Sequence, residues 1–282
     1  MKLARFGNRS EERPALVDAH GRLRDLSSHL KDIGPATLNE AELARLAAID
    51  IESLPFVLDQ NARWGPPVGG IGKIICIGLN YTDHAAEVGL PPPLEPTIFI
   101  KACHATGPND SIRLPRGSEK GDWEVELGII VGRGGLYIEE ANALDHVAGF
   151  CLVNDVSERS YQMERGGQWT KGKSFPGFAP IGPWMVTKDE LPNFGALRLW
   201  LEVNGQRFQD GTTSNLIFGV ECIVSYVSQF YALEPGDLIA TGTPAGVGLG
   251  HKPPVFLKDG DIVTLGAEGL GTQRQTIQAW AE

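Results

Sequence analysis

The segment Trp123-Glu124-Val125-Glu126-Leu127-Gly128-Ile129-Ile130-Val131 constrains this chain more than any other. Apolar residues at 123, 125, 127, 129 and 131 alternate with Glu124, Glu126, Gly128 and Ile130, which is the period of a β-strand. Two rises of roughly 3.3 Å leave the two glutamate Cβ atoms about 7 Å apart on one face. That face continues into Gly128 and Ile130, so it is not an ordinary polar surface. Two carboxylates there repel each other and resist desolvation unless a positive charge lies between them. A hard divalent cation such as Mg²⁺ or Mn²⁺ resolves the conflict, because both favour carboxylate oxygens. Taken alone, the strand also reads as a solvated face carrying two structural glutamates.

The 282 residues suffice for one large domain, or a large domain with a small appendage. Apolar residues make up 42%, enough for a sizeable core. The 35 glycines and 19 prolines imply many turns and short strands in place of long helices. The 35 acidic residues outnumber the 25 basic ones, and no basic block is present. Nucleic acid and anionic membranes are therefore poor partners. No run approaches 18 apolar residues, and the first residues lack the apolar stretch of a signal peptide. Four separated cysteines, with no C-x-x-C unit, indicate neither a zinc site nor a disulfide framework. Cys76 and Cys151 lie in apolar runs and read as core residues, and a reducing, cytoplasmic setting is expected.

Residues 1–70 read as a small N-terminal α+β domain. Ala15–Asp18 and Leu23–Leu26 flank a His20-Gly21 turn, a hairpin pattern. Asn39, followed by Glu42 three residues later, has the spacing of a capping box ahead of the Leu43/Leu46/Ala47 stripe. The glycine- and proline-rich stretch 61–72 reads as a linker to the larger domain, 71–282. There, strands are expected at 73–78, 97–101, 124–131, 147–153, 197–203, 237–241 and 261–265, and a helix at 219–231. Without regular β-α-β alternation a doubly wound sheet is excluded. The fold class is α+β, mainly β.

Other groups join the glutamate pair. Asp155 ends the apolar strand 147–153, where the scaffold would fix it yet leave it accessible. By itself it also reads as a turn aspartate. His84 and Glu87 are three apart on a short helix after Asn80-Tyr81, with Thr82 or Asp83 as its N-cap. A carboxylate that holds an imidazole in one tautomer makes a general base near neutral pH, though a surface His/Glu pair has the same spacing. Lys173 follows Trp169 and Lys171 on a loop, and Arg159 and Gln162 follow Asp155 closely. The glycine-rich run from Leu238 to Gly250, Thr241-Gly242-Thr243-Pro244-Ala245-Gly246-Val247-Gly248-Leu249-Gly250 at its end, has G-x-G-x-G spacing, and His251-Lys252-Pro253-Pro254 cannot open a helix. It is therefore no dinucleotide fingerprint. It reads as a tight loop whose N–H groups and Thr243 hydroxyl approach a small anion.

Six segments in order resemble the fumarylacetoacetate hydrolase family over about residues 73–280. They are Gly78-Leu79-Asn80-Tyr81 with His84 and Glu87; Phe99-Ile100-Lys101; Glu124-x-Glu126; Asn154-Asp155; Lys173-Ser174-Phe175; and Thr241-Gly242-Thr243-Pro244-x-Gly246-Val247-Gly248. The resemblance implies a mixed β-sandwich roll, a homodimer, and one Mg²⁺ or Mn²⁺ per subunit on Glu124, Glu126 and Asp155. It implies that His84 and Glu87 activate water from a lid. Lys173 would face the substrate, which Tyr81, Lys101, Arg159, Gln162 and Thr243 would help to bind. Two departures stand out: Pro176 replaces a frequent acidic residue, and Ala102-Cys103-His104-Ala105-Thr106 replaces a serine-rich stretch.

The implied activity is metal-dependent hydrolysis of a carbon–carbon bond in a 2,4-diketo acid, of acylpyruvate type, to pyruvate and a carboxylic acid. The extra N-terminal region resembles that of hydrolases acting on 2,4-diketo-3-deoxy sugar acids such as the L-fuconate derivative. The same site can serve a decarboxylase or isomerase of 2-keto acids, of the oxaloacetate or homoprotocatechuate-pathway type, and, at greater distance, a ureidoglycolate lyase. A non-catalytic binder of sugar acids would have no use for the His84/Glu87 pair.

Overall fold

A computed structural model describes residues 1–59 and 61–281. The N-terminal strands are β1 (Lys2–Phe6), β2 (Arg13–Val17) and β3 (Leu23–Asp25), followed by helix α1 (Glu40–Ala47). Then come β4 (Ile74–Gly78), helix α2 (Thr82–Glu87), β5 (Thr97–Ile100), β6 (Ile112–Arg113), β7 (Gly121–Asp122), β8 (Val125–Val131) and β9 (Val147–Asn154). The pair β10 (Ser157–Glu158) and α3 (Arg159–Met163) leads to α4 (Thr170–Lys173). The chain ends with β11 (Ile181–Thr187), β12 (Arg198–Val203), β13 (Gln206–Thr212), α5 (Val220–Val227), β14 (Leu238–Ala240), β15 (Ile262–Ala267) and β16 (Gly271–Gln278).

Nine strands form one sheet in the order β3-β2-β1-β11-β9-β8-β14-β4-β5, and five form a second, β13-β12-β15-β16-β6. Most pairs are antiparallel, but β14–β4 and β16–β6 are parallel, so both sheets are mixed. The expected α+β, mainly β sandwich is what forms. Odd-numbered residues of β8 (Val125, Leu127, Ile129, Val131) and Trp123 before it join Leu199, Leu201, Val263 and Leu265 in the core between the sheets. Ile130, on the other face of β8, joins a second core with Cys76, Cys151, Leu26, Ile33 and Leu46. Both faces of β8 are therefore buried, and Glu124 and Glu126 point toward the second core, not toward solvent.

The expected hairpin is present as β2–β3, with Leu16 opposite Arg24. Its sheet does not close within the first 70 residues: β1 pairs with β11, so these strands extend the central sheet. Asn39 caps α1 as expected, its side chain accepting from Glu42 N at 3.0 Å. The return half of a capping box is absent, because the Glu42 carboxylate turns to Arg45. At α2 the N-cap is Tyr81, not Thr82 or Asp83, and Asp83 accepts from the adjacent His84 N–H. The helix expected to reach residue 231 stops at Val227, capped by Ser228. No helix among the described residues is long and apolar enough to cross a membrane.

Candidate active site

The site forms where β8 begins and β9 ends. Pairing of Val125 with Asn154 brings Glu124 and Glu126 beside Asp155. One ligand oxygen from each of the three lies within 4.8 Å of the others, and all three side chains are buried. Two lysines enter from elsewhere in the chain. Lys173, at the end of α4, places Nζ 2.7 Å from Glu124 Oε2 and 2.7 Å from Asp155 Oδ2. Its ammonium also lies 5.0 Å from the Phe99 ring centroid. Lys101, just after β5, bonds Asp155 and donates to Val156 O at 3.0 Å. Arg159 reaches Glu124 Oε1 at 2.7 Å and donates to Gln162 Oε1 at 3.0 Å.

The electrostatics separate the two glutamates. Burial alone would raise the Glu124 carboxyl, but Lys173 and Arg159 outweigh it and hold the group down at about 2. Burial pushes Glu126 well above the usual carboxylate range, and the neighbouring Asp155 and Glu124 charges push it the same way. Its hydrogen bond from Gly242 N, at 2.8 Å, does not reverse this. Asp122, Glu124, Glu126 and Asp155 set four carboxyl groups against three cations, Lys101, Lys173 and Arg159, and Glu126 is the one left without a cationic partner. A divalent cation fits this donor set: hard oxygens only, converging, with one carboxylate lacking a cationic partner. The raised Glu126 carboxyl carries a prediction. Binding Mn²⁺ must expel its proton, so apparent affinity should rise with pH across the range in which Glu126 ionises. Calorimetry in buffers of different ionisation heats should register proton release on Mn²⁺ binding, and a heat independent of the buffer would contradict it.

Helix α2 brings His84 to the same place. His84 Nδ1 lies 2.9 Å from Glu87 Oε2. The carboxylate accepts, so the proton sits on Nδ1 and Nε2 is left with a free lone pair. The other Glu87 oxygen accepts from Gly246 N at 2.8 Å, which pins α2 against the glycine-rich loop. Asn80 secures the start of that segment, donating to Thr241 O at 2.8 Å and accepting from Phe218 N at 2.9 Å.

The glycine-rich loop binds anions as expected, but they are the protein's own carboxylates. Gly242 N serves Glu126, Gly246 N serves Glu87, and Gly248 N and Leu249 N serve Asp122. Gly242 and Gly246 take φ of +103° and +105°, and a Cβ on Gly246 would lie 2.0 Å from Phe208 O. Only glycine allows both the turn and the approach.

The substrate-binding residues expected from sequence divide into two groups. Tyr81 and Arg159 keep free donors: the Tyr81 hydroxyl and Arg159 Nη2 are buried without a hydrogen-bond partner. Burial, with the charges of Glu126 and Asp83, pushes the Tyr81 phenol far up, so it stays a donor. Lys101, Gln162 and Thr243 are held by protein groups, Lys101 by Asp155 and Val156 O and Gln162 by Arg159. The Thr243 hydroxyl donates to Val125 O at 2.9 Å and accepts from Gln209 Nε2 at 2.7 Å, so the hydroxyl proton expected to meet a ligand is committed to β8. Asp122 was not legible as a site residue, because its partners lie far away in sequence.

Comparison with known proteins agrees with this arrangement. Residues 73–278 match the family described as fumarylacetoacetate (FAA) hydrolase C-terminal. A Burkholderia multivorans protein that bears only the provisional name of hydrolase is 54% identical over 281 residues, covering 99% of each chain. The solved 5-carboxymethyl-2-hydroxymuconate delta-isomerase from Mycobacterium smegmatis is 30% identical, with a TM-score of 0.79 over 100% of both chains. The fumarylpyruvate hydrolase from Pseudomonas aeruginosa, solved with Mn²⁺ and pyruvate, is 30% identical, with a TM-score of 0.66 over 79% of this chain and 94% of that one. The chain belongs to the fumarylacetoacetate hydrolase family.

Proposed function

We propose that the protein is a divalent-metal-dependent hydrolase that cleaves an acylpyruvate-type 2,4-diketo acid to pyruvate and a carboxylic acid. The observation that carries the reading is the meeting of a buried three-carboxylate cluster with an oriented His84/Glu87 pair. The solved fumarylpyruvate hydrolase with Mn²⁺ and pyruvate supports the same chemistry by analogy. Glu124, Glu126 and Asp155 would hold Mg²⁺ or Mn²⁺, which supplies Lewis acidity toward the 2-keto oxygen and adjacent carboxylate of the substrate.

The chain's own groups then do the following. His84 Nε2 takes a proton from water, with Glu87 stabilising the imidazolium through Nδ1–H. The resulting hydroxide adds to the C4 carbonyl. The C3–C4 bond breaks, its electron pair passing to C3 as the enolate of pyruvate. The Lys173 ammonium stabilises that charge, and the proton held at His84 Nε2 passes to C3, which gives pyruvate and restores the base. One water is consumed, and one carboxylic acid and one pyruvate leave. The Arg159 Nη2 and Tyr81 hydroxyl donors would bind substrate oxygens. Arg159→Ala should therefore raise KM by roughly 10–100-fold with a smaller change in kcat, the cost of one charged hydrogen-bonding partner. Steady-state kinetics on an acylpyruvate checks this, and an unchanged KM would remove Arg159 from the pocket.

The preferred tail in this reading is a 2,4-diketo-3-deoxy sugar acid, and the enzyme is a homodimer, which sedimentation checks. The tail is tested by the ratio of kcat/KM for 2,4-diketo-3-deoxy-L-fuconate to that for a simple alkyl acylpyruvate. A ratio near one would remove the sugar-acid assignment. A second reading, a decarboxylase or isomerase of 2-keto acids, is favoured by the likeness to the Mycobacterium smegmatis isomerase. It needs a stabilised enolate but no attacking water, so His84 Nε2 would move a proton on carbon instead of activating water. Release of CO₂ from oxaloacetate, with no pyruvate from any acylpyruvate, would favour it.

A further inference from the structure

Asp122 is fully buried, and each of its oxygens accepts two hydrogen bonds. Oδ1 takes Trp123 N at 2.8 Å and Gly248 N at 2.7 Å; Oδ2 takes Leu249 N at 3.0 Å and Arg159 Nε at 2.8 Å. Pairing of β7 with β10, Asp122 opposite Ser157, brings this carboxylate alongside the start of α3. Its oxygens are fully engaged, and it stands outside the three-carboxylate cluster. On the far side of the guanidinium, Nη1 is held by Glu124 and Gln162. Nη2 alone is buried with no partner. A guanidinium fixed through Nε and Nη1 can rotate little, so the direction of Nη2 is set by the groups that hold the other two nitrogens. Gly248 cannot carry a side chain here: a Cβ would lie 2.0 Å from Val255 O and 2.7 Å from Asp122 Oδ1.

We propose that Asp122 is a positioning residue for substrate recognition, tying the glycine-rich loop to Arg159 so that Nη2 presents a single aimed donor to the substrate carboxylate. The inference rests on the 2-keto acid reading of the site. It makes the loop a shared support, because the amide of Gly246 holds Glu87 and the amides two and three residues later hold Asp122. The base and the arginine are thus referenced to the same short stretch of backbone. In Asp122→Asn, one oxygen becomes an NH₂ that faces donors, so Arg159 and the Gly248 amide can no longer both be held, while Arg159 keeps its own charge.

The test uses the Mn²⁺-loaded protein with oxalate, a planar dianion resembling the enolate of pyruvate, followed by calorimetry. Asp122→Asn should weaken oxalate binding by ~30-fold, the scale of one misplaced charge-assisted hydrogen bond, while Mn²⁺ affinity stays within about threefold of wild type. In an Arg159→Ala background the same substitution should add almost nothing, because Asp122 acts through that arginine. Turnover should show the same split, with KM raised and kcat little changed. Should Asp122→Asn fail to fold, Asp122→Ser, which is small and neutral, is measured in its place. Wild-type oxalate affinity in the variant, or losses that multiply with Arg159→Ala, would overturn the proposal. A wild-type protein that takes up Mn²⁺ but binds no oxalate would instead remove the 2-keto acid reading, and the role of Asp122 with it.

Discussion

Glu126→Gln is expected to abolish Mn²⁺ binding and turnover together while making the metal-free protein more stable. The two effects share one cause. Glu126 is buried, receives a single hydrogen bond, from Gly242 N, and sits beside Asp155 and Glu124. Its folded-state carboxyl therefore ionises far above the usual value. In the unfolded chain it ionises near about 4.3. Between those two points the unfolded state binds fewer protons than the folded state, so stability falls as pH rises. A neutral glutamine keeps the oxygen that accepts from Gly242 and removes that loss. The variant should gain about 0.5–2 kcal/mol at pH 7, within the range of single stabilising substitutions, and nothing near pH 4. Metal affinity should drop by more than about 100-fold, beyond what disturbing an outer partner of a ligand costs. Thermal melts at two pH values and Mn²⁺ titration test both halves. Full activity in the variant would refute the site, and a destabilised variant at pH 7 would refute the charge account.

His84→Ala should lower kcat by about 10²–10⁴-fold, the usual worth of a positioned general base. Mn²⁺ affinity should change little, because His84 is paired with Glu87 and not with the carboxylate cluster. Glu87→Gln should fall between the two. It retains an oxygen for Gly246 N or for His84 Nδ1–H but no charge to stabilise the imidazolium. Calorimetry alongside steady-state kinetics separates these outcomes, and a His84 variant that lost metal binding would place the imidazole among the ligands instead.

The parts of the structure legible in the sequence are those whose signal is local. The alternation across 123–131 identifies β8 because a strand repeats every two residues, and the same repeat puts both glutamates on one face. The Asn39 cap and the His84/Glu87 pair are likewise fixed within one turn of helix. What escaped depends on distance or on mixed composition. β11 contains Pro183, which argues against an internal strand; the sheet accommodates it with a register irregularity between Gly182 and Val186. β13, Gln206–Thr212, is mostly polar and largely outside the core, so no apolar period marks it. Asp122 meets Arg159 and Gly248 across 37 and 126 residues, separations that no local pattern encodes. The same distances explain why the glycine-rich loop read as a ligand cradle. Its spacing announces free amides, but only the fold reveals that Glu126, Glu87 and Asp122 already take them.

The central claim is hydrolytic cleavage of a 2,4-diketo acid at a metal held by three carboxylates. The most direct measurement follows an acylpyruvate incubated with the protein and Mn²⁺, then with EDTA, and then with Mn²⁺ restored, assaying both products. The account predicts equimolar pyruvate and carboxylic acid, lost with EDTA and recovered with the metal. Turnover unaffected by EDTA, or no pyruvate from any acylpyruvate in the presence of Mn²⁺, would contradict it.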